Sequence, residues 1–283
     1  GPMRAAAPAA ADLAVVAERV ARAAGELIGR GRPARVEVAA TKSSPTDVVT
    51  AMDRAAEELI GDLLARARPD DALFGEEGGR AAGGSGLTWV IDPIDGTVNY
   101  LYGLPAYAVS VAVVTGDPAR AGAWQPVAGC VHNPATGETW TAASGQGAFL
   151  DGVRLDPPPA PGLAQALVGT GFGYRAQDRL AQARLLAGLL PQVRDIRRIG
   201  SAALDLCAVA GGRLDAFYER GLNVWDIAAG VLMVTEAGGT VIGPGGGAPS
   251  ADLVVAAHGP LPGILLGLLD RLEGLQGQDH PPV

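Results

Sequence analysis

The segment Trp89-Val90-Ile91-Asp92-Pro93-Ile94-Asp95-Gly96-Thr97 constrains this chain more than any other. Three large apolar residues in a row, one aromatic and two β-branched, predict a buried strand. That strand runs straight into two carboxylates three positions apart. The carboxyl ends of such strands open into the crevice where α/β proteins bind ligands. Pro93 fixes its own φ and biases Asp92 towards extended backbone, so the two acids are held in place rather than free to separate. Gly96 permits a tight turn and a close approach of backbone to a ligand. A helix starting there would offer unpartnered N–H groups that suit a phosphate. Taken alone, the same residues also describe an Asp-rich turn with Asp95 as an N-cap. The functional reading therefore needs acids from elsewhere to join them.

Three other stretches supply candidates. Gly75-Glu76-Glu77 follows a short predicted strand over residues 72–74, and by itself reads as a solvated acidic loop. Asp226 opens the apolar run Ile227-Ala228-Ala229 and by itself is a first-turn helical acid. Asp53 lies in a helix predicted over residues 50–68, with Ala55, Leu59, Ile60 and Leu63 as its apolar face. Magnesium takes oxygen ligands in octahedral geometry and keeps several waters, which suits carboxylates gathered from separate loops. Two ions sharing one carboxylate can clamp a phosphate and generate a hydroxide nucleophile. Hydrolysis of phosphate monoesters is among the slowest uncatalysed reactions, so charge neutralisation of this kind is what it demands. The net charge of −8 points the same way, because an acidic protein acting on an anion needs cations between them. No run of Lys or Arg provides the basic surface on which nucleic acid binding rests, so a nucleic acid partner is not expected.

The remaining chain reads as two halves. Helical spacing covers residues 12–30, a short strand 36–38, and a turn 41–46. A Gly-rich loop follows at 80–86, then strands near 106–115, 127–133, 138–143 and 148–150. The Pro-rich stretch 156–162 is the candidate boundary between an N-terminal α+β half (3–155) and a C-terminal α/β half (156–276), together one catalytic unit. Beyond it strands at 166–170, 195–197 and 214–218 alternate with helices at 178–190, 201–210 and 225–237. Two more strands near Val241 and Val254 and a helix at 261–272 close the pattern. With 48% hydrophobic and 18% charged residues there is material for a large core. Cys130 and Cys207 read as small buried side chains rather than metal ligands. No apolar run is long enough to span a membrane, no signal peptide is visible, and a cytoplasmic location is the expectation.

Three motifs together resemble the inositol monophosphatase family, over nearly the whole chain. The first is Gly75-Glu76-Glu77 followed by Trp89 through Tyr100. The second is Trp225-Asp226-Ile227-Ala228-Ala229-Gly230 with Glu236-Ala237-Gly238-Gly239. The third is the stretch from Lys42 to Asp53. The resemblance implies a layered α-β-α-β-α sandwich of α+β class, shared with fructose-1,6-bisphosphatase. It implies two or three magnesium ions per site. Glu76, Asp92 and the Ile94 carbonyl would hold the first, Asp92, Asp95 and Asp226 the second, and Glu76 would also touch a weak third. Thr97, hydrogen-bonded to Asp53, would help deprotonate the attacking water, so Glu76, Thr97 and Asp53 carry the catalytic roles. Gly96 and Thr97 N–H groups would grip the phosphate. Asp95, Gly200, Ala202 and Glu219 would bind the substrate alcohol, and Lys42, the single lysine, would sit on a mobile loop closing the site. Gly171-Phe172-Gly173-Tyr174-Arg175 departs from the animal enzymes and is similar to the bacterial branch. The implied activity is hydrolysis of myo-inositol-1-phosphate and related sugar or polyol phosphates by a homodimer inhibited by lithium. Fructose-1,6-bisphosphate, histidinol phosphate or nucleotide 3′-phosphate are the alternative substrates, and a regulatory protein that binds RNA polymerase or RNA is the alternative outside enzymology.

Overall fold

The computed structural model describes residues 8–32 and 45–278. Its first sheet has eight strands: β1 (Ala72–Gly75), β2 (Arg80–Ala81), β3 (Leu87–Asp95), β4 (Ala108–Gly116), β5 (Trp124–His132), β6 (Thr139–Ala143), β7 (Gly147–Leu150) and β8 (Val153–Arg154), in the order β2-β1-β3-β4-β5-β6-β7-β8. Only β1 and β3 pair in parallel. Along β4 the side chains alternate between two cores. Val109, Val111 and Val113 face one, whereas Ala108, Ala112 and Val114 face the other. A sheet covered on both faces reads as a continuous apolar run, which is why these strands show no polar alternation.

Helices α1 (Ala10–Gly31) and α2 (Pro45–Ala67) cover the outer face. Leu13, Ala17, Val20, Ala21, Ala24 and Ile28 form the buried stripe of α1, and its alanines allow close approach to β4 and β5. The other face meets α5 (Ala202–Ala210) and α6 (Val224–Glu236), which pack against each other. Beyond them lies the second sheet, β9 (Leu167–Thr170), β10 (Asp195–Arg197), β11 (Ala216–Glu219), β12 (Thr240–Ile242) and β13 (Val254–Ala257), in the order β10-β9-β11-β13-β12. Its outer face buries Val168, Ala216, Tyr218 and Val255 under α4 (Ala176–Leu189) and α7 (Leu261–Gln278). The layers therefore run helix, sheet, helix, sheet, helix, the α-β-α-β-α sandwich expected.

Four details differ from the sequence expectation. Strand β3 does not stop at Asp92. It continues to Asp95 with one extra residue against β4, since Asp92 pairs with Ser110 and Asp95 with Ala108. That bulge is where a sheet tolerates Pro93. Helix α2 starts at Pro45, five positions earlier than predicted, because proline suits a helix's first turn. The Gly-rich loop contains a two-residue edge strand, β2, antiparallel to β1. The chain also adds β8 after β7, a tight hairpin turned by Asp151 and Gly152, both at positive φ. The predicted strand at 36–38, most of the turn at 41–46, and Lys42 lie outside the described residues.

Candidate active site

The bulge in β3 sets the geometry. Asp92 and Ile94 are both buried, and the Ile94 N–H donates to Asp92 Oδ1 at 3.1 Å. Because β1 runs parallel to β3 with Gly75 opposite Ile91, the next residue, Glu76, emerges beside Asp92. The Glu76 N–H donates to the Ile91 carbonyl at 3.3 Å. The loop carrying Glu76 is fastened by Glu57 on α2, which accepts the Glu77 N–H at 2.8 Å and the Gly79 N–H at 2.6 Å. A Cβ at Gly75 or Gly79 would collide with that carboxylate, at 2.6 and 2.4 Å. Asp226 sits in the first turn of α6 and accepts the Asn223 N–H at 2.7 Å, half of a capping box. Carboxylate oxygens of Asp92, Asp95 and Asp226 all lie within 4.8 Å of one another.

Asp95 ties this cluster to the second sheet's side of the crevice. Its Oδ2 accepts the Ser201 hydroxyl at 2.6 Å and the Ala203 N–H at 2.8 Å, at the start of α5. Asn99, in the short helix α3 (Thr97–Tyr102), donates to the Ala106 carbonyl and to the Ile199 carbonyl, both at 2.8 Å. Gly96 takes φ +90°, and a Cβ there would press on the carbonyls of Ala106 and Gly200 at 2.8 and 3.0 Å. The Gly96 turn and the Ile199-Gly200 loop are thus locked together through one amide. Replacing it in Asn99→Asp would set a carboxylate against two carbonyls. Phosphatase kcat/KM is expected to fall about tenfold, with partial recovery at acid pH where the new carboxyl regains a proton to donate; steady-state kinetics across pH check it.

Crowding of acids dominates the electrostatics. Burial, with Glu76, Asp95 and Asp226 alongside, pushes the Asp92 carboxyl well above its ordinary range. Burial and Asp226 raise Asp95 to about 7, although Ser201 and Ala203 pull it back. Burial raises Asp226 to about 6. Asp53 rises to about 8 through burial and the charges of Glu77, Glu76 and Glu57. Buried oxygens this close, with no nitrogen or sulfur donor among them, fit a hard divalent cation. The orphaned Asp53 Oδ1, buried without a hydrogen-bond partner, adds to that fit.

Glu76, Asp92, Ile94, Asp95, Gly96, Thr97, Gly200, Ala202, Glu219 and Asp226 line one cavity of about 420 Å³. Asp53 is not among the residues that line it. No hydrogen bond joins Thr97 to Asp53 among the described residues, and Asp53 Oδ1 is buried without a partner. Lys42 is outside the described residues. Sequence reasoning gave no role to Glu57 or Asp205, and it named Asn99, Ser201, Phe172 and Arg198 only as parts of longer stretches, without the contacts they make here. Two of these carried a signal. Glu57 follows Asp53 by one helical turn on a buried face with Ala56 and Ile60, and Asp205 interrupts the apolar run Ala202-Ala203-Leu204-Asp205-Leu206-Cys207.

Fold and acidic crevice together describe a sandwich-type phosphatase. The chain belongs to the inositol monophosphatase family, whose model matches residues 10–271. It is 46% identical over 286 residues to the inositol-1-monophosphatase SuhB of Mycobacterium tuberculosis, covering 94% of this chain and 96% of that one. It is 42% identical over 228 residues to the Nus factor SuhB of Escherichia coli, covering 80% and 83%. The solved structure of Mycobacterium tuberculosis SuhB superposes with a TM-score of 0.78 at 45% identity, over 95% of this chain and all (100%) of that one. The inositol monophosphatase of Anabaena gives 0.79 at 29% identity, over 92% and 96%.

Proposed function

We propose that this protein hydrolyses myo-inositol-1-phosphate and related small sugar or polyol phosphates to the alcohol and inorganic phosphate, with magnesium. The observation that carries this reading is the convergence of Asp92, Asp95 and Asp226 oxygens within 4.8 Å at one end of a cavity whose other wall holds Glu219. Glu76, Asp92 and the Ile94 carbonyl would hold one magnesium and Asp92, Asp95 and Asp226 the other, with Glu76 reaching a weaker third. When bound, these ions neutralise phosphate charge and make water nucleophilic at neutral pH.

The chain's own groups do the rest. The N–H groups of Gly96 and Thr97 receive the phosphate at the start of α3, where the first-turn N–H groups lack helical partners. Glu76, Thr97 and Asp53 would share the deprotonation of the attacking water, Asp53 acting once bound cations favour its ionised form. Asp95, Gly200, Ala202 and Glu219 orient the alcohol, so the leaving oxygen and the phosphate are presented together. A homodimer, lithium inhibition and a cytoplasmic location belong to the same reading.

Phosphate release from myo-inositol-1-phosphate, fructose-1,6-bisphosphate, histidinol phosphate and a nucleotide 3′-phosphate tests it, each with magnesium and with chelator. The inositol ester is expected to rank first and all turnover to vanish with chelator; the inositol ester ranking last rejects the substrate. Relatives carrying the name Nus factor favour a second reading, a regulatory role at RNA polymerase or RNA. The charge of −8 argues against direct contact with RNA phosphates, and no turnover on all four esters would favour that role.

A further inference from the structure

The proposed hydrolysis leaves one buried acid in the cavity without a task. Asp205 comes from α5 and is only 1% exposed, among the apolar Ala203, Leu206 and Cys207. Its side chain makes no hydrogen bond among the described residues, and Oδ1 is sealed from solvent. Glu219, on β11, also lines the cavity, and among the described residues its carboxyl likewise has no hydrogen-bond partner. Two glycines make room for the pair. A Cβ on Gly169 would stand 2.9 Å from Asp205 Oδ1, and one on Gly171 would stand 2.1 Å from Glu219 Oε1. Gly169 lies one residue before the end of β9 and Gly171 directly follows the strand, so the two glycines open adjacent niches for the two carboxyls.

Compensation from the protein is thin. Glu219 and Asp95 are the nearest charges to Asp205 and both are acidic; Arg198 is the cation that faces them. Arg198 makes no ion pair within 4 Å among the described residues and stacks over the Phe172 ring at 5.7 Å. Burying a carboxyl without a partner is costly, and an apolar residue on α5 would avoid that cost. Groups that break this rule in a folded protein call for a ligand or a function. The available donor is the substrate. A polyol brings several hydroxyls to this cavity, whereas a simple alcohol brings none.

Resting on the hydrolase reading, we infer that Asp205 is a specificity-determining residue, which with Glu219 accepts hydroxyl donors from the alcohol part of the ester and so selects polyol phosphates. A site built to pair hydroxyls discriminates strongly against analogues lacking them, since its own buried acceptors are then left unpaired.

The test compares kcat/KM for myo-inositol-1-phosphate with that for p-nitrophenyl phosphate, in magnesium, for the full chain and for Asp205→Asn and Asp205→Leu. The ratio of the two is expected to fall about tenfold in Asp205→Leu through a higher KM for the inositol ester, and by less in Asp205→Asn, which keeps one acceptor. The melting temperature is expected to hold or rise, since a buried carboxyl without a hydrogen-bond partner is removed. An unchanged ratio, or a ratio unchanged alongside a lower melting temperature, overturns the inference and assigns Asp205 a structural role. Should Asp205→Leu not fold, Asp205→Asn decides by the same ratio. Turnover of neither ester by the parent chain would sink the hydrolase reading. The affinity for myo-inositol with inorganic phosphate, measured by calorimetry, then decides: about a tenfold loss in Asp205→Leu with a smaller loss in Asp205→Asn supports the inference, and equal affinity in both overturns it.

Discussion

Asp92→Asn is expected to lower phosphomonoester turnover about a thousandfold while making the metal-free protein slightly more stable. Asp92 stands at the centre of the acidic crevice. Its carboxyl faces Glu76, Asp95 and Asp226 together, and no other acid there faces as many of the proposed ligands. Asparagine has the same shape and keeps an oxygen to accept the Ile94 N–H, so the bulge in β3 survives. What disappears is one negative charge and one oxygen that both proposed ions need. With a like charge removed from a buried cluster, a rise in melting temperature of about 3 °C in chelator follows. Phosphate release and scanning calorimetry on the same preparation check both halves. Near-normal turnover ends the two-ion scheme, and a fall in stability shows that Asp92 is held by groups other than its fellow acids.

Legibility in the sequence followed the range of the interactions. The strand from Trp89 to Asp92 and the helix beginning near Asp226 announce themselves within a few residues, through apolar runs that end on an acid. The layered order was legible because strands and helices alternate after residue 162 and do not before it. The bulge at Asp92–Asp95 was not, since it exists only in the pairing with Ser110 and Ala108. The groups that position the site were hidden for the same reason. Glu57 holds backbone 20 and 22 residues away, Asn99 reaches a carbonyl 100 residues on, and Ser201 reaches Asp95 across 106. No local pattern encodes such pairs. Asp205 is different: an acid inside an apolar helical run is visible as an anomaly before any partner is known. Thr97 and Asp53 show the converse, because the hydrogen bond implied by resemblance is not made and Asp53 Oδ1 stays buried without a partner.

In chelator, the protein is expected to lose stability as pH rises from about 5 to about 8, by about 10 °C in melting temperature, and magnesium is expected to restore it most at the alkaline end. The sign follows from the carboxyls. Asp226 lies at about 6, Asp95 at about 7, and Asp53 and Glu219 at about 8, each raised first by burial and then by acidic neighbours. In the unfolded chain the same groups titrate near about 4. Between those values the folded state holds more protons than the unfolded one, so each step up in pH favours unfolding. Below about pH 4 both states are protonated and the effect is gone. Magnesium would reverse the trend by binding the ionised carboxylates of the folded protein in competition with protons, which would make its stabilisation larger where protons are scarce. Scanning fluorimetry across pH, with chelator and with magnesium, reads both trends. A melting temperature that stays flat or climbs from pH 5 to 8 in chelator means that the acids do not crowd one another. An equal gain from magnesium at both ends means that the cation binds somewhere other than among them.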